Sequence, residues 1–248
     1  MSAGPSIINN PNNSSCITQT HGRRMLSLNH EINSILSFPA KRAFRRHLRA
    51  NVERKEFSII ASNCIGARIY QGLEMPYSSP TVGMFFHAPC FIKFVSNLQY
   101  YLTRQLFFAE SSMYSEAERN RNDETYPLGR LEDIELHFVH YLSEHEAAEK
   151  WNRRCARINF DSLYYIFTDR DLCDYSLLQA FDRLPHPNKV CFTAKCHSLK
   201  SCIQLKRFEN EDCVGDLYTN YHFFNGVFDF AEWLNQDSEP FGNRLIKA

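Results

Sequence analysis

Two acidic residues directly after an apolar run form the pair in this sequence whose spacing most clearly suggests chemistry. Asp169 and Asp171 flank Arg170 and follow the apolar segment 163–168. Two carboxylates so placed can hold a divalent cation, Mn²⁺ or Mg²⁺, against a diphosphate, because hard cations prefer oxygen ligands. The pair predicts a metal site at Asp169 and Asp171, with Asp169 also catalytic. Acidic residues that cap the following helix would give the same pattern.

A basic stripe on a predicted helix at 143–157 could bind the matching anion. The helix begins with the capping box Ser143-Glu144-His145-Glu146. At about 100° per residue, four basic residues share one side of it: Lys150, Arg153, Arg154 and Arg157. Because guanidinium groups make paired contacts with phosphate or carboxylate, we expect Arg154 and Arg157 to bind donor phosphates and Trp151 to stack on a sugar or base. The alternative is a solvated charged face.

Polar residues follow the predicted strands, as expected where ligands bind beyond the carboxyl ends of a parallel sheet. Asn63 could cap a turn or hydrogen-bond a sugar hydroxyl, and Ser79 is predicted to hydrogen-bond a sugar hydroxyl. His140 is a candidate general base, although its place on the strand pattern fits a core-facing histidine equally well. Cys64 could be a nucleophile or a packed turn cysteine. The other predicted substrate-binding residues here are Tyr70, Thr81 and Tyr141.

Alternating strand and helix patterns must position these groups. Strands are predicted at 57–61, 81–86, 134–141, 163–168 and 189–194. Helices are predicted from Pro89, at 143–157 and after Asp174, with a further strand at 217–224 and a helix at 229–234. Three strand–helix–strand units in series predict an α/β fold with a largely parallel sheet flanked by helices.

The domain organisation follows from changes in composition along the chain. Residues 1–36 are rich in Asn, Ser and Thr and predict a flexible tail. Residues 37–56 form a basic helical segment, in which the residues 41–49 could contact an anionic membrane or pack inward through Phe44 and Leu48. Residues 57–235 form the α/β domain, and residues 236–248 form a C-terminal tail.

Charge and hydropathy exclude several classes of protein. The 28 basic and 28 acidic residues balance, so no overall field favours nucleic acid as a partner. The sequence shows neither a membrane-spanning run nor a signal peptide, which predicts a cytoplasmic protein that could sit at the inner face of the membrane. Nine cysteines without a Cys-x-x-Cys motif predict reduced thiols.

An ordered set of motifs extends from residue 57 to about 235. It includes Ser62-Asn63-Cys64-Ile65-Gly66, Ser79-Pro80-Thr81, Pro127-Leu128-Gly129, His140-Tyr141, Trp151, Arg154, Arg157-Ile158-Asn159, Asp169 and Asn188-Lys189-Val190. This set resembles a bacterial family of uncharacterised function that is often labelled exopolysaccharide biosynthesis proteins. The resemblance implies two dissimilar α/β lobes and a role in making exopolysaccharide, capsule or lipopolysaccharide. The sequence departs from that family at Ala67, where a second glycine is usual, and at His87-Ala88-Pro89, where an acidic residue often precedes the helix.

With that resemblance, the candidate residues favour glycosyl transfer from a nucleotide sugar to a glycan acceptor. Many glycosyltransferases place paired carboxylates after a strand as Asp169 and Asp171 are placed. One alternative is transfer of an acyl or other substituent onto the glycan, in which Cys64 or Ser62 would act with His140. Another is a non-catalytic glycan-binding or assembly protein that uses Tyr70, Tyr77 and Trp151 as stacking surfaces.

Overall fold

A four-stranded parallel sheet lies at the centre of the computed structural model, which describes residues 26–115 and 126–236. The helices are α1 Leu26–Asn51, α2 Ile65–Leu73, α3 Ala88–Ser96, α4 Leu98–Leu102, α5 Glu144–Cys155, α6 Tyr175–Arg183 and α7 Phe230–Asn235. The strands are β1 Ser58–Ala61, β2 Phe107–Phe108, β3 Leu128–Leu131, β4 Ile134–His137, β5 Leu163–Thr168, β6 Lys189–Thr193 and β7 Cys202–Gln204. Short 3₁₀ turns cover Lys206–Phe208 and Tyr221–Phe224.

The parallel sheet has the order β1-β5-β6-β7, and helices cover both of its faces. Side chains alternate along each strand, so neighbouring residues enter different hydrophobic cores. On β5, Tyr164 and Ile166 pack with α1, α2 and α7. Tyr165 and Phe167 pack on the other face with α3, α5, α6 and the second sheet. The α/β fold with a largely parallel sheet flanked by helices is therefore confirmed.

The second sheet is antiparallel and has the order β2-β3-β4. The segment 134–141 was predicted as one strand of the series, but its strand ends at His137 and pairs with β3. The reason lies in the turn, because only two residues, Glu132 and Asp133, join β3 to β4. Glu132 adopts φ +52°, and so short a connection can only form an antiparallel hairpin.

Two other predicted strands are wrong. Residues 81–86 form turns, with Gly83 at φ +82° and a single bridge between Phe85 and His137. Residues 217–224 end in the 3₁₀ turn Tyr221–Phe224. Both segments are rich in apolar residues because they pack against the cores, and this burial imitates the pattern of a strand.

The predicted helices on either side of the sheet are confirmed. The Ser143 hydroxyl accepts a hydrogen bond from the Glu146 N–H and begins α5, and Asp174 caps α6 in the same way. Helix α7 likewise begins after Asp229. The helix predicted from Pro89 is two helices, α3 and α4, which meet at Asn97.

Helix α1 packs against the first core through Phe44 and Leu48, which are 5% and 1% exposed. Arg42 and Arg46 lie on its exposed side. The helix begins at Leu26, within the predicted tail, whereas residues 1–25 and 237–248 lie outside the described residues. Within the described ranges, no helix combines the length and the apolar content needed to cross a bilayer.

Strand β1 lies at the edge of the parallel sheet, and side chains complete its hydrogen bonding on the open side. The Ile59 N–H donates to the Tyr70 hydroxyl (2.9 Å), and the Ala61 N–H donates to Thr81 Oγ1 (3.1 Å). Ser79 Oγ lies 3.1 Å from Thr81 Oγ1 and supports it. Buried backbone groups at a sheet edge need such partners, since an unpaired one is costly. The polar residues of this stretch therefore complete the sheet edge.

We expect Tyr70→Phe to destabilise the protein by about 1–3 kcal/mol, because it leaves the buried Ile59 N–H without an acceptor. Chemical denaturation monitored by circular dichroism measures the loss. Tyr175→Phe is the control, since Tyr175 is 50% exposed, and it should change the free energy of unfolding by less than about 0.5 kcal/mol. Equal stability of the two variants would contradict this account of the edge.

Candidate functional site

The backbone of Val82, Gly83 and Met84 gathers four of the predicted site residues at the carboxyl end of β1. The Val82 carbonyl accepts hydrogen bonds from the Tyr141 hydroxyl and from Arg154 Nη1 (2.9 Å). The Gly83 carbonyl accepts from the His140 N–H (3.2 Å), and the Met84 carbonyl accepts from the Cys64 thiol (3.6 Å). We call this segment the 82–84 turn, and the candidate site is the group of side chains around it.

Arg154 is the charged group at the centre of the site. It is 7% exposed, and its Nη1 donates to the Tyr141 hydroxyl as well as to Val82. The guanidinium carbon lies 5.0 Å from the centre of the Tyr77 ring. No acidic side chain of the described residues forms an ion pair with Arg154, and its Nε and Nη2 donate no hydrogen bond to them. A buried cation without a counter-charge is costly, so its site is suited to an anion.

The rest of the basic stripe does not form a binding surface. Lys150 pairs with Glu146, and Arg153 Nη1 lies 2.7 Å from Glu149 Oε1, both one helical turn apart. Arg157 is exposed beyond the end of α5 at Cys155. Helical spacing predicts one basic face, but Arg154 turns into the protein, and the glutamates one turn earlier neutralise Lys150 and Arg153.

Asn63 and Cys64 lie where β1 ends, and each has a local partner. The Asn63 side chain donates to Thr168 Oγ1 (3.0 Å) and accepts from the Ile65 N–H (3.2 Å), which joins the ends of β1 and β5 at the start of α2. Burial raises the pKa of the Cys64 thiol to about 12. A thiol with so high a pKa stays protonated at neutral pH, which disfavours a nucleophilic role.

Asp169 ties three segments together. Its Oδ2 accepts from the Ala194 N–H (2.6 Å) and its Oδ1 accepts from the Val214 N–H (2.9 Å). Burial raises its pKa to about 6, although these two N–H groups oppose the shift. Both carboxylate oxygens therefore already accept a structural hydrogen bond, and only their remaining lone pairs can bind a metal or a substrate.

Asp171 has a different environment. Its carboxylate accepts no hydrogen bond from the described residues, and the nearest cation, Arg170 Nε, is 3.9 Å away. Burial raises its pKa to about 6. Asp171 and Leu172 have φ values of +57° and +66°, a conformation that is unfavourable for a branched residue such as leucine. Of the two predicted metal ligands, Asp171 is thus the one whose oxygens are uncommitted.

His140 is exposed beyond the end of β4, and its ring lies 5.8 Å from that of Tyr218. The interpretation of His140 as a core-facing histidine is wrong, because the strand ends three residues earlier. Its backbone bond to Gly83 places it beside the 82–84 turn. Its position leaves it free to approach a ligand as a base.

Four aromatic or hydroxyl side chains predicted to bind substrate are instead within the protein interior. Trp151 is 2% exposed and packs against Phe94 and Phe138. Tyr70, Ser79 and Thr81 are fully or almost fully buried at the edge of β1. These four side chains do not reach the surface, and the hydroxyl groups of Tyr70, Ser79 and Thr81 complete the sheet edge.

Tyr77 and Gly83 also contribute to the site, although the sequence does not predict them as substrate-binding residues. A glycine within an apolar run often marks a place where another part of the protein or a ligand approaches the backbone closely. Gly83 is such a glycine. A Cβ atom at position 83 would lie 3.0 Å from Tyr141 Cε2. Only glycine allows Tyr141 to reach the Val82 carbonyl across this turn.

We expect Gly83→Ala to cost about 1 kcal/mol or more of stability through its positive φ, and also to displace Tyr141 and with it Arg154. Gly226→Ala is a matched control, because Gly226 has φ +76° with no atom near its absent Cβ. Both variants should lose stability in thermal unfolding. Only Gly83→Ala should change the near-ultraviolet circular dichroism of the tyrosines, and identical spectra would contradict the contact.

We expect the Cys64 thiol to react slowly with iodoacetamide, because with a pKa of about 12 fewer than about one in 10³ molecules carries a thiolate at pH 8. The thiolate fraction grows as pH rises toward that pKa, so labelling should stay slow up to pH 9. Peptide mapping by mass spectrometry compares it with Cys196, which is exposed. Faster labelling of Cys64 than of Cys196 would restore it as a candidate nucleophile.

Comparisons with known proteins identify the family of this chain but give no function for it. Residues 35–235 match a family described as a domain of unknown function, DUF1919. An uncharacterised protein of Haemophilus influenzae strain Rd is 36% identical over 196 residues, which cover 77% of this chain and 89% of that protein. Neither description names a reaction, so the chemistry must be argued from the site.

Proposed function

The chain belongs to the DUF1919 family, and from that premise we propose that it is a transferase of surface-polysaccharide assembly. It moves a sugar from a nucleotide donor to a glycan acceptor. The resemblance of its motifs to those of proteins labelled for exopolysaccharide biosynthesis supports the pathway. The chemistry of the site around Arg154 supports the reaction.

The observation that carries the proposal is the buried guanidinium of Arg154. Nη1 is fixed by Val82 and Tyr141, while Nε and Nη2 keep donors that no described residue uses. Two N–H groups of one guanidinium match two oxygens of a diphosphate. The guanidinium lies over the half-buried Tyr77 ring, so a sugar attached to the bound diphosphate would have an aromatic side chain next to it.

Other groups around the 82–84 turn have roles in this proposal. His140 is the base that takes the proton from the acceptor hydroxyl, and Asn63 orients a sugar hydroxyl. Asp171 binds a Mn²⁺ or Mg²⁺ ion or a ribose, with Asp169 holding the loop in place. Arg157 contributes charge at the rim only.

A lipid-linked acceptor would place the enzyme in the cytoplasm at the inner face of the membrane. The exposed side of α1 supports this part of the proposal, since Phe38 is 57% exposed beside a shallow groove lined by Arg42, Arg45, Arg46 and Arg49. Basic side chains around an exposed apolar group are typical of helices that rest on anionic lipid.

The two alternatives have less support from the geometry. Transfer of an acyl group through Cys64 requires a thiolate, which burial of that thiol opposes. A glycan-binding protein would need exposed stacking surfaces, whereas Tyr70 and Trp151 are buried. Tyr77 is half-buried and contacts Arg154 and Tyr70, so it too offers a glycan little open surface.

We expect a nucleoside diphosphate sugar, with Mn²⁺ or Mg²⁺, to stabilise the purified chain against heat, and Arg154→Gln to bind it at least about tenfold more weakly through the loss of charge-assisted hydrogen bonds. A panel of nucleotide sugars identifies the donor, and release of nucleoside diphosphate measures turnover. Arg153→Gln is the matched control, because Arg153 lies on the same helix but pairs with Glu149.

Arg154→Lys guards against misfolding of the glutamine variant, since it keeps the charge and loses the planar fork. It should bind with intermediate affinity. Equal affinity of Arg154→Gln and Arg153→Gln would contradict the proposal. Stabilisation by oligosaccharide but by no nucleotide would favour the binding protein, and stabilisation by acyl thioesters would favour acyl transfer.

A further inference from the structure

A second cluster of polar side chains is buried at the other side of the 82–84 turn, between the antiparallel sheet and the start of α3. Glu135 and His137 are two residues apart on β4 and therefore point to the same side of that strand. His87 immediately precedes α3. Glu135 and His137 are fully buried and His87 is 3% exposed. We call these three residues the HEH cluster.

The three side chains converge on one point. Each side chain offers one ligand atom. These atoms are a ring nitrogen of His87, a ring nitrogen of His137 and a carboxylate oxygen of Glu135, and they all lie within 4.8 Å of one another. His137 Nε2 is 2.8 Å from Glu135 Oε1. The centres of the two imidazole rings are 4.7 Å apart with the planes nearly perpendicular. Two imidazoles and a carboxylate around a common point are a typical set of protein ligands for a divalent transition metal ion.

Neighbouring groups hold two of the three side chains in this orientation. Glu135 Oε1 accepts from Ser112 Oγ (2.6 Å), and Oε2 accepts from the Met113 N–H (2.7 Å). His137 Nδ1 lies 3.0 Å from the Tyr126 hydroxyl, which leaves Nε2 on the side of the cluster. Hydrogen bonds from a ligand's far side to protein groups are usual at metal sites, where they fix the ring and the carboxylate.

His87 supplies an independent sign that a ligand is missing. Neither of its ring nitrogens has a hydrogen-bond partner among the described residues. Its ring packs between those of Phe85, at 5.5 Å, and Tyr114, at 4.7 Å. A buried imidazole with both nitrogens unsatisfied carries a desolvation cost that an apolar side chain would not. A metal ion at the convergence point would satisfy the nitrogen that faces Glu135 and His137.

We propose that His87, Glu135 and His137 bind one divalent transition metal ion, with zinc as the reference ion. The mixed nitrogen and oxygen ligand set favours Zn²⁺ or Co²⁺ over Mg²⁺ or Ca²⁺, which prefer oxygen ligands alone. Three protein ligands leave a coordination position for water. Its ligands differ from Asp169 and Asp171, although the Ala88 N–H next to His87 donates to the Asp171 carbonyl (2.7 Å), and the proposal stands whether or not the chain transfers sugars.

The competing interpretation is a buried His–Glu pair with an inert His87 beside it. The two interpretations differ at His87, because a simple pair does not need that residue. His87→Phe keeps an aromatic ring against Phe85 and Tyr114 and removes the two unsatisfied nitrogens. The metal-free variant should therefore fold at least as stably as the metal-free wild-type chain under either interpretation, and only its response to metal distinguishes them.

The test uses the full chain after removal of metal with a chelator. Zn²⁺ added to the wild-type protein should bind at one ion per chain, measured by calorimetry and elemental analysis, and should raise the melting temperature. Co²⁺ should produce visible absorption bands of a protein-bound ion. His87→Phe and Glu135→Gln should each bind Zn²⁺ at least about 100-fold more weakly, since each loses a direct ligand. Mg²⁺ at the same concentration should not raise the melting temperature.

His47→Ala is the matched control. His47 also pairs with a carboxylate, that of Asp229 at 3.0 Å, but on the surface and without a third ligand among the residues that the structure describes. It should bind Zn²⁺ as tightly as wild type. The proposal is overturned if the wild-type chain binds no Zn²⁺ stoichiometrically, if His87→Phe binds it with unchanged affinity, or if Mg²⁺ stabilises equally.

Discussion

The need to satisfy the open edge of β1 determines much of this structure. A central sheet that ends in an unpaired strand must find partners for buried N–H groups, and here Tyr70 and Thr81 provide them. Thr81 can reach Ala61 only because the chain runs back along the edge, and the Phe86 N–H then donates to the Ser62 carbonyl. Between these two anchor points the chain forms the 82–84 turn, whose carbonyls receive Cys64, His140, Tyr141 and Arg154.

Much of the fold could be predicted from the sequence where local signals and burial agree. Strands β5 and β6 are continuous apolar runs, and the helices that flank β5 carry side-chain caps at Ser143 and Asp174. The strand predictions fail where a segment is apolar because it packs against a core and not because it belongs to a sheet. Residues 81–86 and 217–224 are apolar because they cover the cores, and 134–141 continues past its strand because Phe138 and Tyr141 are buried too.

The candidate site was predictable in location more than in detail. Residues after the strands do gather near the carboxyl ends, but helical spacing could not tell which arginine would turn inward. Arg154 does so because it donates to the Val82 carbonyl and the Tyr141 hydroxyl, and both of these acceptors come from distant segments of the chain.

The HEH cluster could not be predicted from the pattern of β4. The alternation of that strand assigns Ile134, Leu136 and Phe138 to the interior and leaves Glu135 and His137 facing solvent. Residues 112–114 pack over that second face of the strand. The sequence around β4 does not indicate that another segment covers this face.

The contact between α1 and α7 has a consequence for how the chain is made. His47 on α1 bonds to Asp229 across 182 residues of sequence, and Asn235 accepts from the Glu53 N–H at a similar separation. A ribosome therefore releases α1 long before α7 exists. Helix α2 follows soon and contacts α1 through Arg49, but the aromatic contacts of Phe44 with Tyr221 and Phe230 form only late. Contacts so distant in sequence slow folding and prolong the exposure of apolar surface. The apolar side chains of α1 that pack near α7 thus stay uncovered, and available to chaperones, until synthesis is nearly complete.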